Sequence, residues 1–325
     1  MFTTENINQR IKNKFSILEL SLIIFVLFLA FYFLITQSGL FWDYKVYLET
    51  ANGNYENFYY GYWLLPLFRL LSFLPFEISY SIWIILSILG VVFATRVFNG
   101  NLTFTLLSYQ LSFSLFWGQI SGIICGALGL FWWSLHKKNW WLAGFSLLIL
   151  AAKPQSGGVF AFFLLVFSEI KLRNKFRILL IPMAGVALSL IVYPGWIIDV
   201  ISRSSNAYSW GNISLYQWIG PWALLLFLPT AIIPMPKQRR FLLLATTCVL
   251  TIPYFLQTDL ITLFIFPVGF FSILLGYLPA IMPFFIGYEG QHTGVLVPVF
   301  IYFYIVTSEL IRMWKLIKRK NHYDS

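Results

Sequence analysis

Charge is what this 325-residue chain has least of: Asp, Glu, Lys and Arg together make up only 10% of it. A water-soluble domain carries about a quarter charged residues, so a free-standing globular enzyme is excluded. Cysteine is almost absent. The two present, Cys125 and Cys248, both lie inside apolar runs. They read as small packing residues, which excludes a disulfide framework and a cysteine metal site. Acids are scarce too, 12 against 22 Lys and Arg, for a net charge of +10. That excess does not indicate nucleic acid, because the basic residues fall in short clusters between apolar runs, as in cytoplasmic loops. Nor is residues 16–36 a removed leader: the run is too long and lacks a small-residue cleavage site after it.

What remains is hydrophobic sequence, 59% of the chain, with a mean hydropathy of +0.77. Apolar runs of about 20 residues recur along its length, and each is a candidate membrane helix. The fold class is therefore an all-α polytopic membrane protein, a single transmembrane domain over 1–325 with about 10–12 crossings. Residues 1–15 are polar and basic and are expected in the cytoplasm, with 16–36 crossing outward. Residues 38–66 then form the first extracytoplasmic loop, with interfacial helices over 43–51 and in the proline-containing 62–76 segment. Residues 194–218 form a second outer loop, and the basic tail 313–325 returns to the cytoplasm. Of the basic residues, only Lys45, Arg69, Lys153 and Arg203 fall outside under this topology. The expected location is the cell membrane, with both termini cytoplasmic. Gly122 and Gly126 form a GxxxG pair read as a close helix contact.

The organising stretch is 38–66, SGLFWDYKVYLETANGNYENFYYGYWLLP. Asp43 lies a few residues beyond the first apolar run, between Trp42 and Tyr44. A carboxylate at that depth can be tuned by desolvation and nearby cations. Isolated Lys and Arg at a membrane surface suit a lipid phosphate through charge-assisted hydrogen bonds. Aromatic side chains suit both the headgroup belt and the apolar faces of sugar rings. An acid beside them can take a proton from an attacking hydroxyl. Together these parts suit sugar transfer from a lipid-phosphate carrier, with Asp43 as base and with Lys153, Arg69 and Arg203 as phosphate ligands.

The order of motifs carries a resemblance. Asp43-Tyr44-Lys45-Val46-Tyr47 follows the first apolar helix, and Tyr59-Tyr60-Gly61-Tyr62-Trp63-Leu64-Leu65-Pro66 follows that. Gly118-Gln119 precedes a helix, and Ala143-Gly144 leads to Ala151-Ala152-Lys153-Pro154. Over roughly residues 16–220 this resembles glycosyltransferase family 87, the polyprenyl-phosphate-mannose-dependent mannosyltransferases of the GT-C fold. The resemblance implies a GT-C-like bundle, a catalytic aspartate at Asp43 and a lipid-linked hexose donor, with mannose first. It also implies roles near Gln119 and Lys153 and a late histidine, for which His292 is the outer-side candidate. Tyr44 and Tyr47, in the motif around Asp43, are expected with Gln119 and His292 to position substrate. The acceptor would be a lipid or glycan hydroxyl. No Asp-x-Asp occurs in 38–66, which argues against the metal-dependent branch of the fold; no metal and no cofactor are expected, and no nucleic-acid partner. Two departures stand out: the usual proline pair is reduced to Leu65-Pro66, and the chain is shorter than many members.

Two rivals belong to other classes. A transporter or flippase of a lipid-linked substrate would need ionisable residues near the bilayer midplane, whereas the acids here sit at the ends of apolar runs. An inactive scaffold on the same fold is the blander one.

Overall fold

The computed structural model describes residues 4–36, 40–204 and 211–323. Their secondary structure is helical, with one isolated antiparallel bridge between Asn212 and Leu256 and no strand among them. Among the described residues, four helical stretches are long and apolar enough to cross a membrane: Ile17–Ile35, Phe76–Phe98, Leu172–Val192 and Phe270–Lys318. The pair Tyr109–Trp117 and Ser121–His136, bent by 116°, makes a fifth if it is one broken span. The protein is thus an all-α polytopic membrane protein. Much of the hydropathy read from the sequence as further crossings lies in shorter pieces. The 102–116 run breaks at Leu107-Ser108 into Leu102–Leu106 and Tyr109–Trp117, and the proline-rich 260–294 region divides into several short turns of helix.

The chain forms two compact units. The larger comprises Phe2–Trp210 with Thr258–Pro267. Its first span, α1 (Ile17–Ile35), opens on a capping box: Ser16 Oγ accepts from the Glu19 amide and Glu19 accepts from the Ser16 amide. Next come α2 (Trp42–Ala51), α3 (Leu65–Ser72) and α4 (Phe76–Phe98). Near the end of α4, Arg96 reaches back to Glu19 at 2.8 Å and lies over the Phe15 ring, tying the two spans at one end. Helix α5 (Tyr109–Trp117) stops at Gly118, and α6 (Ser121–His136) leaves at the bend. Helices α7 (Trp140–Ala151), α8 (Val159–Phe167), α9 (Leu172–Val192) and α10 (Trp196–Ser204) complete the run.

The GxxxG pair has a specific partner. Gly126 and Gly122 on α6 meet Gly90 and Ser87 on α4, backbone against backbone. A Cβ on Gly126 would stand 2.7 Å from Gly90 Cα, and one on Gly90 2.7 Å from the Gly122 carbonyl oxygen. Small residues permit this approach where lipid offers little hydrophobic drive between helices.

The smaller unit comprises Gly211–Gln257 and Val268–Ser325. In it α11 (Lys237–Thr251) packs on α12 (Leu296–Tyr323). Glu309 of α12, 1% exposed, sits between Arg239 at 2.9 Å and Arg312 at 2.7 Å, so its buried charge is paired twice. Asn212 is a second knot: its side chain binds the Pro253 carbonyl and the Ser214 and Phe255 amides.

Replacing Gly126 by Val forces α4 and α6 apart. Overpacking at such a contact costs about 1–3 kcal/mol. We expect a lower thermal midpoint for Gly126→Val in detergent micelles, and a smaller drop for Gly126→Ala.

Candidate active site

The site is assembled by one tight turn. Gly118 closes α5 in the left-handed region, φ 76°, where glycine carries no steric cost. The turn is also where α2 docks, since a Cβ on Gly118 would stand 2.6 Å from Tyr44 Cβ. Trp83 of α4 donates its indole N–H to the Gly118 carbonyl at 3.2 Å, and Tyr80 donates its hydroxyl to the Leu115 carbonyl. On the other side of the contact, Phe41 starts α2 with φ 49°, a left-handed conformation that is costly for a residue with a Cβ. Its amide bonds the Phe116 carbonyl at 3.2 Å and its ring packs on Tyr80 at 4.6 Å. These contacts hold the first turn of α2 against residue 119.

Asp43 lies in that first turn. Its Oδ2 accepts from Gln119 Nε2 at 2.6 Å, so the partly buried carboxylate is bound across the fold instead of capping its own helix. Gln119 passes the connection on: its Oε1 accepts from Lys153 Nζ at 3.2 Å. Lys153 also donates to Ser121 Oγ at 3.1 Å and pairs with Asp259 Oδ1 at 2.5 Å. Ser121 donates to the same Asp259 oxygen at 2.7 Å. The three donors of the ammonium therefore have three partners. Lys153 is 1% exposed and Asp259 0%, so each neutralises the other out of reach of water.

Local sequence explains how Lys153 gets there. Pro154 lacks an N–H and disfavours helical geometry in the residue before it. Lys153 accordingly leaves α7 at φ −124° and ψ 77°, and a π-helical turn over Pro154–Gly158 follows. Asp259 comes from a short 3-10 helix, Gln257–Leu260, in the segment that joins this unit from later in the chain. Tyr60 faces the ammonium with its ring centroid 6.0 Å from Nζ, and its hydroxyl lies 3.3 Å from that of Tyr47.

Burial raises the Asp43 carboxyl from its ordinary 3.8 to about 6. Lys153 and the Gln119 hydrogen bond oppose that rise, and the Asp259 charge adds to it. A group with this balance ionises within the physiological range, as a general base requires.

Of the residues expected at the site, Asp43, Gln119 and Lys153 come together. Tyr44 and Tyr47 are both 0% exposed. Tyr44 packs among Phe76, Tyr80 and Trp83, and Tyr47 stacks on Phe68, so they hold α2 in place. Arg69 is exposed on α3 and acts electrostatically on Tyr55. Arg203 lies on α10, where Nη2 donates to the Tyr62 hydroxyl at 2.9 Å and Nε to the Asp199 carbonyl at 3.0 Å. His292 belongs to the smaller unit: its Nδ1–H donates to the Asn212 carbonyl at 2.6 Å, and Glu289 is 3.5 Å from Nε2. Tyr208 and Trp210 of the second outer loop, and Ser38 of the first, lie outside the described residues. Ser121 and Asp259 are the two members of this cluster that the sequence motifs do not single out.

An all-helical membrane protein with a partly buried, tunable carboxylate beside a buried lysine fits the class of membrane-embedded group-transfer enzymes. The chain belongs to glycosyltransferase family 87, whose model matches residues 58–220. It is therefore a member of a family of membrane glycosyltransferases. The match contains Gln119, Ser121, Lys153 and Arg203, and it begins after Asp43 and ends before Asp259. No curated protein and no solved structure matches the chain.

Asp259→Leu leaves the Lys153 ammonium buried without its counter-charge, a loss of about 3–5 kcal/mol. We expect a destabilised protein in detergent, read by thermal unfolding, and substantial recovery when Lys153→Met is added.

Proposed function

We propose that this protein transfers a hexose, with mannose the first candidate, from a polyprenyl-phosphate carrier to a lipid or glycan hydroxyl on the extracytoplasmic side. The observation that carries the reading is Asp43: a carboxylate poised near pH 6 at the start of α2, bound through Gln119 to the Lys153–Asp259 pair. In this reading Asp43 takes the proton from the acceptor hydroxyl as its oxygen attacks the anomeric carbon. The bond from that carbon to the phosphate oxygen breaks on the opposite face, so the centre inverts and the carrier leaves as its phosphate. Gln119 holds the carboxylate in position by donating to Oδ2.

Lys153 supplies positive charge near the base. To donate to a phosphate oxygen it would have to give up one of its three present partners. Exposed Arg69 needs no such exchange and is proposed to meet the departing phosphate first. Tyr60, half-buried beside Lys153, is proposed as the aromatic wall of the sugar site. The excess of Lys and Arg in the remaining loops supports placing both termini in the cytoplasm and Asp43 outside.

Asp43→Asn keeps the size of the side chain and removes the base. We expect transfer from radiolabelled polyprenyl-phosphate hexose to fall by at least 10²-fold, with the thermal midpoint preserved; wild-type transfer by this variant would end the proposal. The pH dependence follows from the same group. Transfer needs ionised Asp43, so kcat/KM should fall tenfold per unit below about pH 6 and level off above it. Gln119→Leu removes a hydrogen bond that favours the ionised form, and should move the midpoint to higher pH. Stability runs the other way. Because the folded-state value lies above 3.8, the contribution of Asp43 to stability is complete below that pH and is lost as the pH rises to about 6.

A further inference from the structure

Within the larger unit, the turn after α2, the end of α9 and one side of α10 border an open cleft of about 730 Å³. That is within the roughly 300–1,000 Å³ of small-ligand pockets. Asp43, Gln119 and Lys153 do not line it. Its wall is a stack of three rings. Tyr62 lies between Tyr55, at 5.3 Å and 21°, and Trp196, at 5.1 Å and 14°. Tyr193 stands edge-on at 6.2 Å from Tyr55, and these two half-buried tyrosines form an aromatic corner that borders the cleft. The corner is braced from behind: Trp196 donates to Ser189 Oγ at 3.1 Å, and Trp63 donates to the Leu148 carbonyl at 3.0 Å.

The charged rim decides what fits. Arg203 is the basic residue of the lining, against two exposed acids, Glu56 and Asp199. Neither carboxylate has an ion-pair partner among the described residues; Arg203 bonds the Asp199 backbone carbonyl and the Tyr62 hydroxyl, leaving Nη1 without a protein partner among them. Arg69 acts on Tyr55 from outside the lining; within it, a phosphate would meet two carboxylates against the one guanidinium of Arg203. A neutral polyol meets acceptors and a donor together, which its hydroxyls, each donor and acceptor, can satisfy, while the tyrosine faces take the apolar face of a sugar ring.

We propose that this cleft is a saccharide-binding subsite that seats the acceptor glycan, narrowing the acceptor from any lipid hydroxyl to a sugar. The proposal rests on the glycosyl-transfer reading above and reassigns Arg203 from the donor phosphate to the acceptor. Its test needs no turnover. Saturation-transfer NMR on the full-length protein in lipid nanodiscs, with α- and β-linked manno- and gluco-trisaccharides as probes, should show saturation of at least one probe. Asp43→Asn should still bind that probe while losing transfer, so transfer tests the catalytic reading and binding tests the cleft. Tyr55→Ala combined with Asp199→Asn should weaken binding at least tenfold while the variant still unfolds in one transition above the assay temperature, and Asp199→Asn alone, at an exposed position, should weaken it in the same direction with the thermal midpoint unchanged. Polyprenyl phosphate, with or without its hexose, should not compete. No saturation of any probe by wild type, unchanged binding by the double variant, or displacement by the bare carrier phosphate would overturn the proposal. Displacement only by the hexose-bearing carrier would make the cleft the donor's sugar site and overturn the acceptor assignment.

Discussion

The structure of the larger unit depends on one buried ion pair. Lys153 and Asp259 are 106 positions apart in sequence and 2.5 Å apart in space, and neither touches water. Removing two charges from water costs several kcal/mol per ion, and a pair recovers this only when its remaining hydrogen-bonding capacity is filled. Ser121 and Gln119 fill it for the ammonium. The pair therefore specifies which segments must converge: the end of α7, the start of α6, the turn after α5 and the segment around residue 259. A chain with so few charges places two of them where misplacement is most costly.

Around this pair, packing supplies rigidity and no polarity. The backbone contact of α4 with α6 fixes the element that carries Ser121 and, through the preceding turn, Gln119. The aromatic cluster of Tyr44, Tyr47, Phe68, Tyr80 and Trp83 fixes α2. Offset and edge-on ring pairs each add about 0.5–1.5 kcal/mol beyond area burial. The left-handed backbone at Phe41 is affordable only because these rings and the Phe116 carbonyl hold it. Asp43 is thus set by its neighbours to within a hydrogen-bond length of Gln119, without a packing contribution of its own.

Two chemically different places result within one unit. The Asp43 cluster is polar, and its two carboxylates, lysine, amide and hydroxyl are linked in one chain of contacts. The cleft at Tyr55 and Tyr193 is aromatic, with two exposed acids at its rim. Phe58, fully buried, packs against both Tyr47 and Tyr62, so the same short stretch of the first outer segment serves both. In the function proposed above, the first place moves the proton and the second grips the acceptor. That division is the arrangement expected when binding energy away from the reacting atoms orients them.

Sequence by itself determined the class: apolar runs with loop-clustered basic residues allow little but a multi-pass helical protein, and ordered motifs pointed to glycosyltransferase family 87. It also determined the short helix expected over 43–51, the close approach at Gly122 and Gly126, and the break at Lys153-Pro154, because helix signals, small-residue spacing and proline geometry are local. Tertiary structure alone decided that Asp259 is the partner of Lys153, that Tyr44 and Tyr47 are buried among aromatic rings, and that Arg203 bonds Tyr62 at the wall of an aromatic cleft. Those outcomes depend on which segments meet, and hydropathy carries no information about partners: an apolar run scores the same whichever helix it packs against. A charge in such a run announces that it must be neutralised, but only the folded chain names the residue that does it.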